Sequence, residues 1–529
     1  MGRMPDAVVI GSGPNGLVAA NLLADRGWSV TVLEAQPTLG GAVRTDTDVH
    51  DGFRHDTFSA FYPLAAASQT ISSLRLEDHG LRWVHAPAVL GNPLPDGRWA
   101  MLHRDRHDTA AGLDTLSPGD GAAWLKLCDQ WDGFGPALLS ALLTPFPPIR
   151  GGLRTAVSLP RHAGLAGLRL PLTPVRRLAA DRFSGEGARL LLAGNALHAD
   201  FSPDDAGSGI FGLIMAMLGQ TVGFPVPQGG AGELTQALAR RLESLGGSVV
   251  TGTEVAAVVV RDGRAVGVRT KTGDQIGAAR AVLADVSAPA LYGGLVAWED
   301  LPSRTRWGMR RFRWDPSTVK VDWALSTPVP WDSAPPIAPG TVHVTHSVAE
   351  LSTFASQMKG HTIPSHPLLL MGQMTTVDAS RSAAGTESLW AYTHVPQDTH
   401  SDAGGDGIRG VWDHSDLERF ADRMQARVER FAPDFASRIM ARRVLGPREL
   451  QRSDANLHGG AINGGTAELG QELVLRPVPG LGRAETPIKG LYLASASAHP
   501  GGGVHGAPGA NAARAALAHA RVRRWIPWR

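Results

Sequence analysis

Cysteine is almost missing from this chain: Cys128 is the only one in 529 residues. A single thiol excludes an internal disulfide, a C-x-x-C redox pair and a cysteine-built metal site. Excess charge is missing too. The 51 basic and 49 acidic side chains leave a net charge of +2, which makes no case for a nucleic-acid partner. The longest apolar run, Gly209 to Leu218, is too short to span a bilayer. No spacing of His, Asp and Glu suggests a metal site. No apolar leader precedes the first strand pattern, so the chain reads as cytoplasmic. Its length calls for two or three structural domains.

What is present starts at once. Ala7-Val8-Val9-Ile10 reads as a strand, Gly11-Ser12-Gly13-Pro14-Asn15-Gly16 as a G-x-G-x-x-G turn opening a helix, and Ser29 to Leu33 as a second strand with Glu34 at its tip. Gly11 permits the tight turn, Gly13 admits a pyrophosphate, and Gly16 lets helix and strand pack closely. The helix start near Pro14 faces phosphate groups. Glu34, followed by Ala35, lies where a carboxylate can accept hydrogen bonds from ribose hydroxyls. A dinucleotide site is expected.

Gly40-Gly41-Ala42-Val43-Arg44-Thr45 follows closely. Paired glycines let the chain pass near a diphosphate, and Arg44 can meet an anionic group. On these motifs the segment from Asp6 to Thr45 resembles the FAD-binding start of phytoene desaturases, carotenoid isomerases and flavin amine oxidases. That resemblance implies FAD as the cofactor.

Two further stretches extend the resemblance. From Pro227 the leucines 234, 238, 242 and 245 recur at helical spacing. Strand patterns follow at 248–255 and 258–268, the latter broken by an Asp262-Gly263 hairpin turn. The order is similar to glutathione-reductase-type FAD domains, and that likeness implies that Val255 meets the adenine through its backbone. Asp285, after the strand 281–284, reads equally as a nucleotide neighbour or as a helix N-cap. The third stretch runs from Gly490 through Pro500-Gly501-Gly502-Gly503-Val504-His505 into an Ala-rich helix from about Ala510. It closely resembles the C-terminal signature of phytoene-desaturase-like proteins. The resemblance implies that Gly502, Gly503 and Val504 present backbone N–H groups to the flavin ring.

The remainder reads as a substrate domain. Val319, Val321, Trp323 and Leu325 alternate as one face of a half-buried strand, and 368–371 and 389–396 suggest further strands of that sheet. Residues 134–176, rich in Pro, Leu and Arg, read as a helical cap over the substrate entrance. The run 209–218 reads as a core or tunnel-lining helix. Residues 195–200 and 225–232 look like the branch labelled pyridine nucleotide-disulfide oxidoreductase domain proteins, although one cysteine rules out disulfide chemistry. No second glycine-turn unit suggests a separate NAD(P) domain.

Acid–base candidates are few. His55, His499 and His505 are the candidates for the flavin's edge. The competing readings are an ordinary loop bond for His55, a turn-fixing bond for His499 and a solvent-facing ring for His505. His394 and His458 read as structural or superficial. The terminal Arg523-Arg524-Trp525-Ile526-Pro527-Trp528-Arg529 has an interfacial composition but reads as a frayed or docked tail.

The fold expected is α/β: a discontinuous Rossmann-type FAD-binding domain (1–75, 225–290 and 481–529) with an inserted α+β substrate domain (76–224 and 291–480). The expected function, following the resemblance, is hydride abstraction from a hydrophobic, polyene- or isoprenoid-like substrate, by desaturation or isomerisation, with oxygen or a quinone as acceptor. A flavin amine oxidase is one alternative; an FAD-binding scaffold without turnover is another. Peripheral membrane contact and oligomeric state stay open.

Overall fold

Five short strands make one parallel sheet, in the order Leu491–Leu493, Ala281–Ala284, Ala7–Ile10, Val30–Leu33 and Ser248–Val250. They come from chain segments hundreds of residues apart. A parallel sheet must be covered on both faces, so its three central strands are almost wholly apolar, while the edge strand Ser248–Val250 is largely exposed. Here Val9, Val32 and Leu283 pack beneath the helices Pro14–Ala24 and Ala507–Trp525. On the other face Val8, Val282 and Leu493 meet a three-stranded antiparallel sheet, Val255–Arg261, Arg264–Thr270 and Gln275–Gly277. Asp262 and Gly263 turn that hairpin with φ of 50° and 69°, the left-handed pair that an Asp-Gly turn supplies. These strands and helices come from a computed structural model describing residues 4–525. Of the basic, Trp-rich end, only the helical backbone to Trp525 is described; Ile526 to Arg529 lie outside the described residues.

A second, seven-stranded sheet stands beside the first. Its order is Ile439–Leu445, Ser317–Leu325, Glu387–Val395, Leu369–Gln373, Pro339–Val344, Ala88–Pro93 and Trp99–Leu102. Val319, Val321 and Trp323 face the helix His414–Glu429 through Phe420 and Met424. The alternation in 317–325 suggests a half-buried strand, but all nine residues are buried. The polar face, Thr318, Lys320 and Asp322, turns into the molecule instead of into water.

Helices cover that polar face. Asp120–Leu142, Ile149–Ala163, Glu186–Ala196 and Ser208–Thr221 form the cap around a core holding Trp124, Cys128 and Leu191. Burial pushes the Cys128 thiol up to about 12, so it stays protonated and inert. The apolar run of residues 209–218 lies inside the helix Ser208–Thr221.

Candidate active site

The G-x-G-x-x-G turn sits at the carboxyl end of the first strand. A Cβ on Gly16 would lie 2.3 Å from the carbonyl oxygen of Gly11, so no other residue fits there. Glu34 is buried at the tip of the next strand. One of its oxygens accepts from the Ser12 N–H at 2.9 Å and the Ser12 hydroxyl at 2.7 Å, and the other accepts from the Gln36 N–H at 2.8 Å. A carboxylate has about four lone-pair sites, which leaves capacity for a ligand hydroxyl.

Asp285 proves not to be a helix cap: Ser287 caps the short helix that follows. Its carboxylate accepts from the Gly16 N–H at 2.8 Å, behind the glycine turn. Burial pushes its carboxyl up to about 8, and the charges of Asp454 and Glu34 add to that rise. One amide at the helix start therefore faces Asp285, and Pro14 has no N–H to give.

A cavity of about 1020 Å³ runs from this turn into the space between the seven-stranded sheet and the cap. Of the residues picked from sequence, Gly11, Gly13, Pro14, Asn15, Glu34, Ala35, Gly41, Val255, Gly502, Gly503, Val504 and His505 line it. Gly16, Gly40, Arg44, His55 and His499 do not. Arg44 instead donates to the Ser453 carbonyl at 2.7 Å and lies over the Phe58 ring at 5.0 Å. It braces the 453–457 loop, which also lines the cavity.

The three candidate histidines are all buried. His505 is not in solvent. Its Nδ1 accepts from the Ala507 N–H at 3.1 Å, and its Nε2 donates to the Gly502 carbonyl at 3.2 Å. Burial pushes its imidazole down to about 4, so it is a neutral staple of the glycine loop. His499 does not fix its own turn; it donates from Nε2 to the Thr144 carbonyl at 3.1 Å, tying that loop to the cap. His55 donates from Nε2 to the Trp323 carbonyl at 3.1 Å, and burial lowers its pKa.

Polar groups at the sheet side of the cavity come from residues the sequence motifs did not single out. Lys320 lines the cavity and pairs with Asp322. Arg443 binds Asp322 at 2.7 Å and Asp46 at 2.8 Å, so one network joins the sheet to the segment after Gly41. Burial holds the Lys320 ammonium below its ordinary pKa, against the pull of Asp322. Trp390 and Tyr392 lie side by side, ring centroids 6.0 Å apart at 25°. The His198 ring meets His343, Nε2 to Nε2, at 2.9 Å. The face of 317–325 opposite the valines carries Thr, Lys and Asp in alternation, a pattern that by itself reads as the solvent side of a half-buried strand.

The donor set fits FAD. Asn15 Oδ1 and Asn463 Nδ2 are buried without a protein partner, on residues that line the cavity at its nucleotide end and beside the glycine loop. Arg476 donates to the carbonyls of Asn463 at 2.7 Å and Ala496 at 3.0 Å, holding these two walls together.

Comparison with known proteins defines the class. A family model described as NAD(P)-binding Rossmann-like domain matches residues 9–73, and one described as flavin containing amine oxidoreductase matches residues 164–388. The chain is an FAD-dependent oxidoreductase, similar over residues 164–388 to flavin containing amine oxidoreductases. Within that class it is 29% identical to pyridine nucleotide-disulfide oxidoreductase domain-containing protein 2 of Mus musculus, over 96% of this chain and 92% of that one. It is 27% identical to a phytoene desaturase (neurosporene-forming) of Cereibacter sphaeroides, over 58% and 59%. It is 23% identical to a chloroplastic prolycopene isomerase of Daucus carota, over 95% and 78%. A solved putrescine oxidase bound to putrescine shares the fold, with a TM-score of 0.60, 18% identity and coverage of 98% and 99%. Among the described residues no helix is long and apolar enough to cross a membrane.

Proposed function

We propose that the protein acts on a hydrophobic, polyene- or isoprenoid-like substrate, either desaturating it and passing the two electrons to oxygen or a quinone, or isomerising it with no net transfer of electrons. The observation that carries this reading is the cavity beyond the glycine loop. Its walls are Phe61, Leu142, Ile210, Phe211, Ile214 and Trp390, an apolar sleeve that strips water from a long hydrocarbon. The names of the desaturase and isomerase relatives support the same substrate class.

When bound, FAD supplies the two-electron acceptance that such chemistry needs. On this reading Glu34 holds the ribose, Gly13, Asn15 and Gly41 admit the diphosphate, and the backbone of Val255 meets the adenine. The amides of Gly502, Gly503 and Val504 stabilise negative charge on the ring. The cofactor-binding unit comprises residues 1–75, 225–290 and 481–529, and the substrate unit 76–224 and 291–480. The apolar walls align the substrate and exclude water. The sole thiol, buried and unpaired, suits a reducing cytoplasm.

An amine substrate is the weaker reading. Trp390 and Tyr392 stand abreast on one strand rather than facing each other. Among the described residues no arginine lines the cavity to hold a carboxylate. Anaerobic mixing of the FAD-loaded protein with a polyene in detergent and, separately, with primary amines tests the reading. Bleaching of the flavin band, or cis–trans conversion of the polyene, is expected with the polyene. Bleaching by amines alone would replace this reading with amine oxidation. Bound FAD that no small molecule reduces, in a protein that isomerises none, would point to a scaffold.

A further inference from the structure

We propose that the outer surface of the cap docks onto an anionic lipid bilayer, with the cavity mouth facing the membrane. Ile149–Ala163 is a helix with two apolar faces. Gly151 and Leu159 are buried against the protein, and a Cβ on Gly151 would touch the backbone of Ala141 at 2.7 Å. The second face is bare. Ile149, Leu153 and Val157 are 66%, 65% and 66% exposed, spaced four apart so that they form one stripe. The turn that follows, Leu165–Leu172, continues it: Leu165, Leu168 and Leu172 are 80%, 54% and 64% exposed. Six large aliphatic side chains on one short segment far exceed the scattered apolar residues of an ordinary surface.

Charge chooses the partner. No Asp or Glu stands between Asp132 and Asp181. Arg150, Arg154, Arg161 and Arg169 in this segment are all exposed. On a helix, Arg150 and Arg154 flank the Leu153 and Val157 stripe, where their long stems follow the apolar surface and their guanidinium heads reach phosphates. An apolar stripe bordered by arginine is the pattern of a helix lying in a bilayer interface, and unopposed positive charge selects anionic headgroups. Pro171 is exposed within the same segment and lines the cavity, as do Leu138, Leu142 and Leu143 on the chain just before the helix. The docking face and the mouth are therefore continuous. Docking itself is independent of the proposed substrate; entry of a lipophilic substrate by this mouth rests on that reading.

The test is flotation of the FAD-loaded full chain, without substrate, with phosphatidylcholine vesicles and with vesicles carrying about a third phosphatidylglycerol. Binding to the anionic vesicles is expected, weakening as salt rises. The pair Leu153→Asp, Val157→Asp should lower it by about tenfold or more. The pair Arg150→Gln, Arg154→Gln, exposed and tolerant of substitution, should lower it by roughly fivefold per arginine. Ile337→Asp, an exposed apolar site elsewhere, should leave binding unchanged. The proposal is overturned if the wild type ignores vesicles or binds neutral ones equally well. It also fails if either pair, with flavin absorbance and Tm intact, floats like the wild type. A wild type that is dimeric by light scattering and becomes monomeric in the Asp pair, with no vesicle binding, would make the face a self-interface. Because no substrate is present, failure of the polyene reading does not alter any of these outcomes.

Discussion

The two sheets meet at one cavity but are built by opposite rules. In the five-stranded sheet, the buried side chains on both faces of the central strands are apolar, and the polar groups that line the cavity sit at the strand ends: the glycine turn, Glu34 and Asp285. In the seven-stranded sheet the groups that face the cavity lie along the strands themselves. Lys320 pairs across the sheet with Tyr392, and Thr341 with Gly372 next to Trp390. A parallel sheet covered on both faces has no face to spare for ligands, so binding falls at its carboxyl edge. A largely antiparallel sheet can give one face to a core and the other to a cavity. On the proposed reading, nucleotide binding is therefore concentrated in loops, and substrate contact is spread across a surface.

Four experiments sharpen that contrast. The largest effect is expected at the turn. Gly16→Val would drive a side chain into the Gly11 carbonyl, at a cost of about 3 kcal/mol or more. FAD retained after desalting should fall to near zero, and wild-type occupancy would show that the turn does not need its glycine. The sheet network comes next. Asp322→Asn leaves Lys320 and Arg443 without their shared carboxylate, and removing one partner of such a buried set costs about 3 kcal/mol. Lys320→Met leaves Asp322 still held by Arg443, so its cost should be about 1 kcal/mol. Chemical denaturation of the two variants side by side checks the order; equal losses would mean that the pair acts as a closed dyad.

Glu34→Ala removes the acceptor for three hydrogen bonds at the nucleotide end. FAD binding should weaken by on the order of 1–3 kcal/mol, read by titrating the apoprotein. The last effect is a slope in pH. Asp285 keeps its proton to about pH 8 in the folded chain, against 3.8 for an ordinary aspartate. Across that interval the folded state binds a proton that the unfolded chain has lost, so the contribution of this group to stability falls as pH rises. Asp285→Asn should flatten that slope. The apoprotein variant should gain steadily on wild type as pH rises towards 8, and the gap should close towards about pH 4. Parallel slopes for the two proteins, measured by thermal melts across the interval, would place the Asp285 carboxyl in water.

Sequence alone determined the local backbone devices around the glycine turn. The turn at Gly11 to Gly16, the acid at Glu34, the Asp262-Gly263 hairpin and the glycine-rich loop before the last helix are local devices. Each needs a particular backbone within a few residues, and few residue types allow it. The helix Gly232–Ser244 was equally legible, because its apolar spacing is a local period. What only the tertiary structure decided is where lone polar side chains went. His499 found Thr144, 355 residues away, and Asp285 turned to Gly16 at a separation of 269. Lys320, read past on a strand judged by its valines, faces the cavity because a cap of distant helices closes over that side of the sheet. Burial is a property of what packs on a residue from elsewhere, and no local period reports it. The exposed stripe on the cap is the converse case: its leucines and arginines are plain in the chain, but that nothing covers them is visible only once the fold is complete.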